Sequence, residues 1–220
     1  MRSFDEIFTI AAERKGGPDA LEALLETPRT PAELAAIPED RWLAQFTKSI
    51  FQAGFNWKVI ENKWAGFETA FDGFDVGRCA FMDDDKFDAL VDDKSIVRNP
   101  IKIATVRDNA AFLLDLRDEG GAGRVLGGWP SEDYAALLDM LKKRGSHLGG
   151  NAGQYAMRFM GRDSYIMSRD VVARLVAEGI IDKQPSSKTA MKAVQAAFNT
   201  WMEQSGRSLT EISRVLAMSV

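Results

Sequence analysis

The residues between Lys142 and Arg174 have the types and the spacing of an anion-binding site. A basic segment, KKRG, precedes a turn of small residues, LGGNAG, and a helix is predicted to begin at about Gln154. Small side chains leave the first backbone N–H groups of that helix uncovered, and the helix dipole attracts negative charge to the same point. The stretch is therefore a candidate anion-binding turn, and an ordinary helix–helix turn is the alternative.

Two segments in this stretch resemble the helix-hairpin-helix DNA glycosylase superfamily. Residues 148–156, LGGNAGQYA, are similar to its L-x-G-V-G-x-x-T-A hairpin, and residues 170–174, DVVAR, are similar to the element that carries its catalytic aspartate. The second hairpin glycine is Ala152 here, and the arginine lies one residue nearer the aspartate than in the superfamily.

Further motifs resemble the type I DNA-3-methyladenine glycosylases within that superfamily. Residues 52–57, QAGFNW, are similar to the family's Q-A-G-L-S-W turn, and residues 96–103, IVRNPIKI, to its I-I-R-N/H-x-x-K-I helix start. Residues 142–145, KKRG, match the segment before its hairpin. Order and spacing agree from about Lys48 to Phe159, so the chain is identified as a divergent member of this family.

Three departures qualify the resemblance. Ser49 occupies the position of the family's glutamate, and AAERKGG at residues 11–17 replaces its aromatic, histidine-bearing N-terminal segment. The Cys/His pair that binds zinc in the family has no counterpart. These differences indicate a branch that reads a different base or uses a different carboxylate.

The resemblance implies an aromatic base-binding site at the QAGFNW turn. A glycosylase removes a base from the stack and holds it between aromatic faces. The resemblance puts a base-stacking ring at Trp57, with Phe55 as a second candidate; the alternative is that both are core residues, and we favour it for Phe55. Gln52 either hydrogen-bonds a base edge or ties the backbone of the turn.

The chemistry that the resemblance implies needs one carboxylate. Cleavage of an N-glycosidic bond develops positive charge on the sugar, which a carboxylate stabilises. Asp170 is the catalytic candidate, although an aspartate that opens a helix can also be a plain N-cap; Asp163 is the second candidate. A lyase would need a lysine early in the helix after the hairpin, where Gln154 stands. A monofunctional hydrolase without a cofactor is therefore predicted, and with only Cys79 and His147 in the chain no His/Cys metal site is expected.

Contact with duplex DNA that contains damaged bases is assigned to the hairpin. The predicted contacts are the backbone amides of Gly150, Ala152 and Gly153. They are supported by the side-chain cations of Lys142, Lys143 and Arg144. The alternative for the cations is that they only stabilise the carboxyl end of their own helix. Arg98, Asn99 and Lys102 are assigned to capping and packing.

Composition bounds the class of protein. The 220 residues are 45% hydrophobic and 27% charged, which are globular values, and no apolar run approaches membrane length. The net charge of −4 argues against indiscriminate nucleic-acid binding, but not against a local basic face. Cys79 is the single cysteine, which suits a reducing compartment. We expect a monomer in the bacterial cytoplasm, associated with the nucleoid and without a membrane partner.

The elements that must position these residues are predicted to be helices. Thr30-Pro31-x-Glu33 and Ser208-x-x-Glu211 are capping-box patterns, and no alternating run requires a strand. GGAGRVLGG, residues 120–128, is interpreted as a flexible link. An all-α fold is therefore predicted.

The resemblance adds an architecture to this class. We expect one glycosylase-like domain, 1–220, with two helical lobes and a cleft between them, as in the helix-hairpin-helix glycosylases. One lobe would contain about 1–55 and 165–220, and the other about 56–164.

The function that the resemblance implies is base-excision repair. The enzyme would be a glycosylase that hydrolyses the N-glycosidic bond of alkylated purines such as 3-methyladenine. A non-catalytic helix-hairpin-helix DNA-binding protein, which has kept the hairpin and lost the chemistry, is the alternative.

Overall fold

A computed structural model describes residues 1–220, which form helices and connecting loops without a β-strand. The helices are α1 (Phe4–Lys15), α2 (Pro18–Glu22), α3 (Pro31–Ala35), α4 (Glu39–Gln52), α5 (Trp57–Asn62), α6 (Trp64–Ala70), α7 (Val76–Ala80), α8 (Asp84–Asp92), α9 (Pro100–Arg117), α10 (Ala122–Gly127), α11 (Tyr134–Arg144), α12 (Asn151–Met160), α13 (Arg169–Ala177), α14 (Lys188–Ser205) and α15 (Leu209–Met218). The predicted all-α class is confirmed. None of the helices is both long enough and apolar enough to cross a membrane.

Capping residues begin several helices where the sequence predicts it. At the start of α3, the Glu33 amide donates to Thr30 Oγ1 over 3.2 Å, and the Thr30 amide donates to Glu33 Oε2 over 2.7 Å. Ser208 and Glu211 form the same reciprocal pair at the start of α15. These bonds satisfy donors that the first helical turn leaves without a partner.

The segment interpreted as a flexible link is a helix. Residues 122–127 form α10, and its glycines let it approach α3 closely. A Cβ atom on Gly123 would lie 2.6 Å from the carbonyl oxygen of Leu34. The glycines therefore serve close helix packing, and the flexible-link interpretation was wrong.

The chain divides into two compact units. Unit 1 comprises Met1–Arg29, Pro130–Ala136 and Gly161–Val220, and unit 2 comprises Thr30–Trp129 and Leu137–Met160. The first division thus falls between Arg29 and Thr30, before α3 and α4, whereas the sequence suggested a boundary near residue 55. The physical reason is that α4 packs against α9 and α12, which belong to unit 2.

Each unit has its own apolar core. In unit 2, α4 and α9 bury apolar residues at helical spacing, including Trp42, Phe46, Phe51, Val106 and Leu113. In unit 1, α1, α14 and α15 bury Phe4, Ile7, Phe198, Trp201 and Ile212. The predicted base-binding turn and the hairpin therefore belong to unit 2, and Asp170 belongs to unit 1.

Candidate functional site

The turn from α4 to α5 is built by local hydrogen bonds. Helix α4 ends at Gln52, and the Phe55 amide donates to the carbonyl oxygen of Gln52 over 3.1 Å. Asn56 caps α5, because its side chain accepts from the Lys58 amide over 3.0 Å. Trp57 is consequently the first residue of α5, at a point where the backbone direction is fixed on both sides.

Trp57 is one of three neighbouring aromatic residues at the surface, Trp57, Tyr155 and Phe159, which we call the aromatic cluster. The ring centroid of Trp57 lies 5.2 Å from that of Tyr155 and 5.8 Å from that of Phe159, with both ring pairs nearly perpendicular. Trp57 is 38% exposed and Phe159 is 47% exposed. The cluster is therefore available to stack on a planar ring, and a purely core role for Trp57 is wrong.

Phe55 is also at the surface. Its side chain is 46% exposed, so the core role favoured from the sequence was wrong. Tyr155 and Phe159 were not recognised as site residues from the sequence. Their spacing of four on α12 is the available signal, because residues four apart share one face of a helix.

Gln52 and Ser49 provide the polar groups on the last turns of α4. Gln52 is 3% exposed, and its Oε1 atom accepts no hydrogen bond, although a buried polar atom is normally paired. Its side chain therefore does not tie the backbone of the turn through that atom. Ser49 is buried, and its Oγ accepts from Gln45 Nε2 over 3.0 Å. This face of α4 thus offers amide and hydroxyl groups and no carboxylate.

The candidate anion-binding turn lies between α11 and α12. Gly150 is exposed at its tip with φ +69°, a left-handed conformation that favours glycine. Ala152 and Gly153 are buried, and a Cβ atom on Gly153 would collide with the carbonyl oxygen of Leu148. Of the three predicted amide donors, Gly150 is therefore the exposed residue, while the other two pack the turn.

Helix α9 holds this turn in place. Ser146 is bound at both backbone groups by Asn109: its amide donates to Asn109 Oδ1 over 2.8 Å, and its carbonyl accepts from Asn109 Nδ2 over 2.9 Å. Ser146 Oγ also donates to Asp108 Oδ2 over 2.9 Å. Asn109 is 1% exposed, so this two-point clamp is shielded from water.

The three predicted cations before the turn differ in their surroundings. Lys143 Nζ lies 2.6 Å from Asp139 Oδ2, and Arg144 pairs with Glu119 at 2.7 Å. The guanidinium of Arg144 also lies over the Phe112 ring. Lys142 is exposed and forms no ion pair. Lys142 is therefore the cation of this trio whose charge is not offset by an acidic neighbour.

Asp170 lies in the first turn of α13 and is exposed. Ser168 is the N-cap, because its Oγ accepts from the Val171 amide over 3.3 Å. The alternative role of Asp170 as the cap is therefore wrong. Its carboxylate forms no hydrogen bond or ion pair, and the amino end of α13 favours its negative charge.

The other polar candidates in unit 1 have structural partners. Asp163 accepts from Ser131 Oγ over 2.8 Å and from the Thr210 amide over 2.9 Å. Arg174, which follows Asp170 in the sequence motif, is buried, and its Nε donates to Ser219 Oγ over 2.8 Å. Neither side chain is left open to a ligand in the way that Asp170 is.

Comparison with known proteins identifies similar chains. Residues 38–125 match the family model described as methyladenine glycosylase. The fold is similar to a crystal structure described as 3-methyladenine DNA glycosylase I (TAG), with a TM-score of 0.51 and 21% sequence identity. That match covers 65% of this chain and 86% of the other. The family match includes the 52–57 turn and the 96–103 helix start, but neither the hairpin nor Asp170.

Proposed function

From residues 38–125, which belong to the methyladenine glycosylase family, we propose that the chain is a DNA glycosylase that hydrolyses the N-glycosidic bond of alkylated purines, 3-methyladenine foremost. The family and the helical fold support a DNA glycosylase role. The observation that carries the finer proposal is the exposed aromatic cluster, which lies in the same unit as Gln52 and its unpaired, buried carbonyl oxygen.

The aromatic cluster suits a displaced, alkylated base. A purine alkylated on a ring nitrogen carries positive charge, and the electron-rich faces of tryptophan and tyrosine attract cations. The side-chain carbonyl oxygen of Gln52 is buried and accepts no hydrogen bond within the protein, so an adenine amino group that enters beside it would supply the missing donor. Phe55, exposed on the same turn, adds apolar surface for the displaced nucleotide.

Hydrolysis breaks the bond between C1′ of the sugar and the base nitrogen, and the bonding electrons leave with the base. Water then adds to C1′ and loses a proton. A cationic base is a good leaving group, so one carboxylate that stabilises the developing sugar cation is sufficient. We assign this role to Asp170. Gln154, at the position where a lyase would carry its lysine, supports a monofunctional hydrolase without a cofactor.

The partner in this proposal is duplex DNA. Gly150 at the hairpin tip and the unpaired cation Lys142 are suited to a phosphate group, with Lys143 and Arg144 as weaker contributors because each already pairs with an acid. Surface ion pairs are worth only about 0–1 kcal/mol, so DNA can still recruit these side chains. We further propose that the protein acts as a monomer in the bacterial cytoplasm, at the nucleoid.

Release of free base from alkylated duplex DNA tests the proposal. The wild-type protein should release 3-methyladenine, and Trp57→Ala should reduce that release by roughly 10-fold or more, because base–aromatic stacking is worth about 1–3 kcal/mol. Val59→Ala is the matched control, since Val59 is equally exposed on α5 but outside the aromatic cluster. Equal release by Trp57→Ala and Val59→Ala would remove the base-stacking role.

A non-catalytic DNA-binding protein is the second candidate. The observation in its favour is the neutral Ser49, which replaces the carboxylate of the resembled family at the end of α4. Salt-dependent DNA binding by the wild-type protein, together with no base release from any alkylated substrate, would decide for it.

A further inference from the structure

The ammonium group of Lys102 lies directly behind the turn that carries Phe55 and Trp57. Lys102 Nζ donates to three carbonyl oxygens at the end of α4, those of Ile50 at 2.8 Å, Phe51 at 3.2 Å and Ala53 at 2.7 Å. An ammonium has three N–H donors, so all of its donor capacity is directed into this turn. One side chain therefore satisfies several of the carbonyls that a helix end leaves unpaired.

The position of Lys102 in its own helix is unfavourable. Asn99 caps α9, and Lys102 follows in the first turn, where the helix dipole disfavours a positive charge. Burial also lowers the pKa of Lys102. The carboxyl end of α4, which carries negative partial charge, offsets this local disadvantage. The charge of Lys102 is unfavourable for its own helix and favourable for a neighbouring turn. This combination is typical of a residue that positions another part of the structure.

Aromatic rings complete the surroundings of the ammonium. Lys102 Nζ lies 5.6 Å from the centroid of the Phe55 ring and 5.9 Å from that of the buried Phe51 ring. Both distances are within the range of a cation–π interaction. The same charge thus fixes the backbone of the turn and orients the exposed ring of Phe55.

We propose that Lys102 is a positioning residue for base release, because its ammonium holds the Ala53–Phe55 backbone in the geometry that presents Phe55 and Trp57 to the displaced base. This inference rests on the proposed function. Lys102 acts through the turn and does not contact the substrate. Asn109, two helical turns further along α9, holds the hairpin by the clamp on Ser146. One helix therefore sets both the base-binding turn and the anion-binding turn.

The test removes the ammonium and then restores it. Lys102→Met keeps the length of the side chain without its charge, and Lys58→Met is the matched control on the exposed side of the same turn. Lys102→Cys, made in a Cys79→Ala background, is alkylated with 2-bromoethylamine while unfolded and then refolded, which restores an ammonium at nearly the original length. Hydrogen exchange of the amides of residues 53–58 and single-turnover release of 3-methyladenine are measured for every variant.

We expect exchange at residues 53–58 to accelerate at least 10-fold in Lys102→Met and base release at saturating enzyme to fall at least 10-fold. The salt dependence of binding to undamaged DNA should stay within error of the wild type. The aminoethylated protein should recover both properties, and Lys58→Met should change neither. Unchanged exchange, or fast exchange with wild-type release, would overturn the proposal. If the wild type itself releases no base, the proposed function fails, while the exchange data still decide whether Lys102 holds the turn.

Discussion

At the scale of single residues, substitution of Asp170 is predicted to affect base release and stability differently. Its carboxylate is exposed, has no partner, and is not the cap of its helix. We expect Asp170→Asn to change the free energy of unfolding by no more than about 0.5 kcal/mol, as surface substitutions usually do. Base release should fall by about 10²–10⁴-fold, the usual contribution of one positioned group. Urea denaturation and single-turnover kinetics measure the two effects.

Substitution of Ser168 is the control for this prediction, because it should change stability and leave base release unaltered. Ser168→Ala removes the N-cap of α13 and should lower stability by about 1 kcal/mol. It should leave base release per folded molecule unchanged. Wild-type turnover in Asp170→Asn would exclude a catalytic role for this carboxylate.

The cations before the hairpin should contribute unequally to DNA binding. Each phosphate neutralised on duplex DNA contributes about −0.9 to the slope of log K against log salt concentration. Lys142→Ala should flatten that slope by close to this amount, because Lys142 has no acidic partner. Lys143→Ala should flatten it less, because Lys143 must first leave Asp139. Fluorescence anisotropy at several salt concentrations measures the slopes, and equal slopes in both variants and the wild type would show that the two lysines serve only their helix.

At the scale of helices, substitution of Asn109 tests whether α9 holds the hairpin in its conformation. Asn109→Ala leaves the amide and the carbonyl of Ser146 without their partner, which costs about 1–3 kcal/mol when such groups are shielded from water. DNA affinity should fall with it, because the turn loses its fixed geometry. Asp108→Asn is the matched control, since it keeps the backbone clamp and alters only the contact to Ser146 Oγ. Wild-type affinity in Asn109→Ala would mean that the hairpin holds its shape without α9.

Local patterns made much of this helical architecture predictable. The capping pairs Thr30–Glu33 and Ser208–Glu211 depend on residues three apart, and both are confirmed. The family resemblance is confirmed by the match to residues 38–125. The capping role assigned to Asn99 is confirmed as well, because its side chain accepts from the Lys102 amide.

Contacts between distant segments were not predictable in the same way. Trp57 contacts Tyr155 only because α5 and α12 come together in the fold, and no local sequence pattern predicts that contact. The Arg144–Glu119 pair has the same origin. The glycines of α10 were misread as a link because close helix packing and flexibility need the same residue. The shared role of Asp170 and the aromatic cluster in one site stays a prediction.

At the scale of the whole chain, Arg2 and Ser219 are linked through two ion pairs that share the Glu178 carboxylate within unit 1. The Arg2 amide and guanidinium each donate to Glu178 over 2.7 Å, and Arg174, which also pairs with Glu178, donates to Ser219. Although burial alone would raise the pKa of Glu178, the hydrogen bonds from Arg2 and Arg174 lower it below its usual value of 4.5. The ionised carboxylate therefore stabilises the folded state.

Glu178→Gln should lower the free energy of unfolding at pH 7 by about 1.5–3 kcal/mol, the range for hydrogen bonds to charged groups. Because the folded pKa is depressed, the stabilisation is present above pH 4.5 and is lost as the pH falls through the folded pKa. The difference between wild type and variant should therefore shrink between pH 5 and about pH 3. Chemical denaturation at a series of pH values measures it, and a difference independent of pH would contradict the assigned role of the charge.

The arrangement of α9 has a consequence for how such a protein acquires new specificities. Lys102 and Asn109 hold two turns through hydrogen bonds to backbone groups, whereas Phe55, Trp57 and Phe159 keep between 38% and 47% of their surface exposed. Substitutions should therefore be tolerated at the exposed aromatic positions and should not be tolerated at Lys102 and Asn109. A combinatorial library confined to the exposed aromatic positions should yield mostly folded proteins with altered base preference, and a library at Lys102 and Asn109 should yield mostly inactive ones.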